Sequence, residues 1–135
     1  MKWLWLSSWL AMLSAGQAAW GQTPSCGESL GSGVRRVGAG ALTLAWLPRP
    51  QPIPLDRHFQ LELELCGARA DALRVDADMP AHRHGMNYRA SVVQTGPGRY
   101  QAEGLLFHMP GRWRLIVDID EGGRRHRLTD DITLR

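Results

Sequence analysis

Apolar and polar residues alternate along much of this chain. Phe59, Leu61, Leu63 and Leu65 alternate with Gln60, Glu62 and Glu64, and Trp113, Leu115, Val117 and Ile119 stand out against Arg112, Arg114, Asp118 and Asp120. A period of two marks a strand with one buried face. Shorter runs at Ala41–Trp46, Leu73–Ala77, Asn87–Gln94, Tyr100–Leu106 and Leu128–Leu134 bring the expectation to about seven strands. Thr95-Gly96-Pro97-Gly98 and Glu121-Gly122-Gly123-Arg124 read as hairpin turns, whose glycines take positive φ at little cost. Pro48, Pro50, Pro52 and Pro54 predict a stiff, extended link between the first two strands. No stretch beyond residue 21 sustains helical periodicity. Short strands punctuated in this way predict an all-β fold, a single immunoglobulin-like β-sandwich.

The first 21 residues do not belong to that pattern. Lys2 precedes an apolar run from Trp3 to Leu13, and small residues follow at Ala15, Gly16, Ala18 and Ala19. This is the layout of a signal peptide, and the run falls short of the roughly 20 residues that span a bilayer. A periplasmic or secreted protein without stable membrane insertion is therefore expected. Residues 22–40, rich in Gly and Ser, are expected to form a flexible tail, and residues 41–135 the sandwich. After cleavage about 115 residues remain, the size of one domain with one core.

Charge and cysteine content narrow the function. The formal net charge of +3 comes almost wholly from Arg, because Lys2 is the only lysine. Basic residues are interleaved with acidic ones, so a nucleic-acid partner is not expected. The densest basic cluster, Arg124-Arg125-His126-Arg127, reads as a solvated hairpin flank. Two cysteines in an exported chain most economically form one disulfide, Cys26–Cys66. Closing a loop of that length stabilises by at most about 4 kcal/mol in the chain-entropy treatment. No nucleophile elbow, phosphate-cradling glycine loop or paired carboxylates are present, so no enzymatic activity is expected.

The candidate chemistry lies in Met79-Pro80-Ala81-His82-Arg83-His84-Gly85-Met86 and in His108-Met109. Imidazole with thioether suits copper, and thioether favours Cu(I). A zinc site would ordinarily use Cys or four N/O donors, and calcium a cluster of acids. If the strand at Asn87 ran backwards in regular geometry, His82, His84 and Met86 would share a face with Tyr88, Ala90 and Val92. A hairpin at Thr95–Gly98 would then carry His108 towards them. The expected ligands are His82, His84, Met86 and His108, with Met79 or Met109 as a further thioether. The competing reading makes these histidines rim residues bonded to backbone, with methionines filling gaps. His58 and His126 read as isolated surface residues.

The octad just given, Gly98-Arg99-Tyr100 and Met109-Pro110-Gly111-Arg112-Trp113 together resemble the YtkA-like/FixH-like domain over roughly residues 40–134. The resemblance implies a small exported β-sandwich, and through FixH-like members a link to copper supply or oxidase assembly. Met86 and His108 are also spaced as in periplasmic copper chaperones that pass Cu(I) to cytochrome oxidase. Here His108 and Met109 are adjacent, so in a regular strand only one of them could face the site. The reading that follows is a monomeric, exported Cu(I) carrier that delivers to an exported metalloprotein. Its rival is a metal-free accessory module docking on an exported haem or respiratory oxidase component.

Overall fold

In a computed structural model, residues 21–135 are described; the expected signal peptide lies outside them apart from Gly21. The fold is an all-β sandwich of two antiparallel sheets. The first sheet contains β1 (Arg35–Ala39), β2 (Leu42–Arg49), β3 (His58–Cys66), β7 (Arg99–Leu106) and β6 (Ser91–Gly96), in that order. The second is ordered β5 (His84–Gly85), β4 (Ala72–Met79), β8 (Gly111–Glu121), β9 (Arg124–Leu134). The nine strands exceed the expectation because two of them bury too little to show in a hydrophobic pattern. In β1 only Val37 is half-buried, and β5 has two residues.

Alternation closes the core. Leu73, Val75 and Ala77 of β4 lie opposite Ile119, Val117 and Leu115 of β8. Across the sandwich Leu61, Leu63 and Leu65 of β3 face inward beside Leu44, Trp46, Tyr100 and Ala102. Fully burying side chains of this kind contributes about 1.5–3 kcal/mol each. The polar positions of β8 and β9 point outward and pair as Arg127–Asp118, Arg125–Asp120 and Arg112–Asp131.

Within residues 22–40, the part from Cys26 onward is not a loose tail. A short 3-10 turn at Glu28–Leu30 and the Cys26–Cys66 disulfide lay this segment over the outer face of β2. Leu30, Ala45 and Leu47 form a second small core there, with Cys26 and Val34 against it. This covering explains why β2 is apolar on both faces, a feature of strands buried on both sides. The proline link also differs from expectation. Pro48 pairs with Leu61 inside the β2–β3 ladder, and the Arg49–Pro50 and Gln51–Pro52 bonds are cis. The link is a turn between antiparallel neighbours instead of an extended spacer.

The other edge of the sandwich is held by a polar junction. Asp130 of β9 faces inward and accepts bonds from the Trp46 indole N–H at 3.0 Å and from Arg35 at 2.9 and 2.5 Å. The Arg35 guanidinium lies 5.2 Å from the Trp46 ring centre. An inward charge on an edge strand also discourages pairing with another chain.

Candidate metal centre

Two of the three places where the chain changes sheets lie at one end of the sandwich. Residues 86–90 lead from β5 in the second sheet to β6 in the first, and residues 107–110 lead from β7 back to β8. The expected strand from Asn87 therefore does not extend back through the histidines. Strand β6 starts only at Ser91, and His84 pairs with Met79 in the opposite sheet. The turn after Met79 and the crossing at residues 86–90 interrupt the strand, and the shared face proposed for His82 to Val92 does not form. His84 and His108 still meet, because the two crossings run side by side.

A tight turn sets the first two imidazoles. The Met79 carbonyl accepts bonds from the backbone N–H of His82 and of Arg83, each at 3.0 Å. Arg83 adopts φ 54° to reverse the chain, a conformation non-glycine residues seldom take. The chain returns to pair His84 with Met79 and Gly85 with Asp78, and the Met86 N–H donates to Ala77 O at 3.3 Å. Cross-strand partners share a face, so His84 projects towards the interior beside Met79, which is 2% exposed.

The His84 ring centre lies 5.2 Å from that of His108 and 5.7 Å from that of His82. The three imidazoles form a row with His84 in the middle. With metal–nitrogen bonds of about 2.0–2.1 Å, two rings sharing an ion place their centres roughly 5–6 Å apart. Both neighbouring pairs meet that spacing. The His84 Nδ1 lies 3.1 Å from the Gly85 carbonyl. A carbonyl only accepts, so this contact assigns a proton to Nδ1 and leaves Nε2 as the nitrogen open to a metal. The His108 Nδ1 is buried without a hydrogen-bond partner. Such an orphan is expensive in the absence of a ligand.

Other features define the limits of this centre. Among the described residues, the one group of three His, Cys, Asp or Glu donors lying mutually within 4.8 Å is Cys26, Glu64 and Cys66. Both sulfurs there are committed to the disulfide, so that group is not a metal site. The His82, His84 and His108 donors are not gathered in this way, and His82 is exposed at the outer end of the row. Met86 and Met109 are half-buried and pack against the core. Met86 also lines an open cleft of about 510 Å³ with Leu73, Val75, Tyr88 and Val92; no histidine lines it. The second orphan atom, Asp78 Oδ1, belongs to the outer face of β4, away from the inward side that carries Met79.

His58 and His126 stand apart from the row. His58 meets Tyr88 edge-on at 4.8 Å, and His126 Nε2 lies 3.2 Å from Glu121. Trp113 was not foreseen at the centre. It is fully buried, stacked on Phe107 at 4.5 Å, with the His108 and His84 rings standing edge-on to it at 5.5 and 6.1 Å. Its indole N–H donates to Met109 O at 2.9 Å. The aromatic run Phe107-His108 and the Trp113 that follows were the sequence signal for it.

The fold and this histidine-bearing end define a small β-sandwich with a soft, nitrogen-rich rim. Residues 68–118 match the model of a family described as YtkA-like, the family to which the three motifs point, and all three fall inside the match. The crystal structure of a DUF4426 family protein from Pseudomonas aeruginosa PAO1 is similar at 10% identity. That likeness covers 76% of this chain and 97% of the other, with a TM-score of 0.49. No curated protein matches. The motifs have local roles: Gly98 takes φ 66° in the β6–β7 turn, Tyr100 is buried, and Met109 O anchors Trp113. Gly111 has φ 117°, and a Cβ there would meet the Met79 methyl at 3.1 Å.

Proposed function

We propose that this protein is an exported copper carrier that holds Cu(I) between His84 and His108 and passes it to an exported metalloprotein. The observation that carries the reading is the buried, unpartnered Nδ1 of His108, in a ring whose centre lies 5.2 Å from that of His84. Met79 and Met109, which flank these histidines in sequence and pairing, are the thioether candidates. His82, the exposed third imidazole, and Met86, beside the cleft, suit the entry and exit of the ion. The disulfide agrees with an oxidising compartment. Among the described residues no helix is long and apolar enough to cross a membrane.

One observation favours the rival, a metal-free docking module: the three imidazoles do not gather their donor atoms into a single cluster. Anaerobic titration with Cu(I) against a chromophoric chelator separates the two. The copper reading requires one equivalent bound by the wild-type protein and sharply weaker binding by His84→Ala and His108→Ala. Equal retention of copper by wild type and both variants would refute it and leave the docking module.

A further inference from the structure

Trp113 has a place at this centre that its role in the core does not explain. Phe107 covers one face of the indole, at an interplanar angle of 6°. The His84 and His108 rings stand at 69° and 77° to the same indole plane. An ion shared by these two imidazoles lies about 3.1 Å from each ring centre, given metal–nitrogen bonds of roughly 2.0–2.1 Å. The three ring separations of 5.2, 5.5 and 6.1 Å then hold it about 3.5–7 Å from the indole centre, against the roughly 6 Å reach of a cation–π contact. His108 Nδ1 is buried and Trp113 is 0% exposed; an ion on that interior side lies in the nearer part of the range.

We propose that Trp113 is a non-ligating wall of the copper site, which blocks the inner coordination position and selects Cu(I) over divalent ions. The inference rests on the copper reading above and adds what selects the oxidation state. A dry aromatic surface supplies neither a lone pair nor a bound water. Zn(II) and Cu(II) need four or more donors and lose one at this wall. Cu(I) is satisfied by two or three donors and gains the electrostatic attraction of the ring face.

The test uses the mature protein with Cu(I), Ag(I) and Zn(II), in the wild type and in Trp113→Leu and Trp113→Phe. Trp113→Leu is expected to lose about 3- to 30-fold in Cu(I) affinity, the range of a partly desolvated cation–π contact. Its Zn(II) affinity should hold or rise, and Trp113→Phe should recover part of the Cu(I) loss. Equal losses for both ions, or no loss for Cu(I), would overturn the proposal. A second readout needs no variant: Ag(I) should shift the Trp113 indole N–H resonance and leave that of Trp46, which is bonded to Asp130. Tight Cu(I) and Ag(I) binding with an unmoved Trp113 resonance would overturn the wall and spare the copper reading. Failure of the wild-type protein to bind Cu(I) would overturn both.

Discussion

Replacing His108 with leucine should raise the stability of the metal-free protein while abolishing its response to copper. The Nδ1 of His108 is buried and unpartnered, and leaving such a group unsatisfied costs about 1–3 kcal/mol. Leucine has similar bulk and no polar atom, and the site adjoins Phe107, Trp113 and Met109. Lost contact with Trp113 and imperfect packing offset part of the gain, roughly 1 kcal/mol for a volume-conserving change. The net expectation is a metal-free variant at least as stable as wild type and up to about 2 kcal/mol more so. In a domain of this size about 1 kcal/mol moves the midpoint by roughly 4 °C. The assay is urea and thermal unfolding, with and without a Cu(I) chelator. Wild-type protein should gain about 2.7 kcal/mol at a free Cu(I) concentration a hundredfold above its Kd, and His108→Leu almost nothing. A chelated variant destabilised by 2 kcal/mol or more would refute the reasoning, since it would mean that the imidazole is a satisfied structural group. Full copper stabilisation of the variant would refute it equally.

Asp130→Ala should destabilise by about 1–3 kcal/mol, because it leaves the Trp46 N–H and Arg35 without their acceptor; Asp130→Asn, which keeps an oxygen for the indole, should cost less in the same melts. Gly111→Ala should also destabilise, by about 1–3 kcal/mol for a strained positive φ, and the crowding of Met79 should weaken Cu(I) binding in the competition assay. Acid should unfold the protein in steps traceable to the outer ladder of β8 and β9. Hydrogen bonds from Arg127, Arg125 and Arg114 hold the carboxyls of Asp118, Asp120 and Asp131 below their ordinary range. Depressed carboxyls contribute stability that is complete above the unfolded value near pH 4 and is lost as pH falls through the folded values. Melting temperatures from pH 6 to pH 2.5 should therefore be flat and then fall below about pH 4, and Asp118→Asn should soften that fall. An unchanged acid limb in the variant would contradict the assignment.

Much of the fold was legible because period-two patterning is a direct record of which face is buried. Phe59–Leu65 and Trp113–Ile119 lie within β3 and β8, and the turns at Thr95–Gly98 and Glu121–Arg124 stand where glycines permit them. The Cys26–Cys66 bond was legible from the number of cysteines alone. β1 was not, because Arg-Arg-Val-Gly-Ala is an edge strand with one half-buried residue. The apolar run Leu44-Ala45-Trp46-Leu47 is buried on both faces because the N-terminal segment covers β2, a pattern that the expectation of a flexible tail left unused. At the candidate site the residue types were readable and the geometry was not. Extending a strand from Asn87 back to His82 assumed one sheet where the chain uses two. The approach of His84 to His108 depends on a sheet crossing that leaves no periodic trace. Trp113 was legible as core and not as a neighbour of the imidazoles, since nothing in a strand pattern says what lies at its end.

X-ray absorption at the copper edge of the Cu(I)-loaded protein tests the central claim most directly. Two nitrogen scatterers at about 2.0 Å with imidazole multiple scattering, both lost in a His84→Ala/His108→Ala double variant, are the predicted result. A shell of sulfur alone, or an unchanged shell in the double variant, would contradict it.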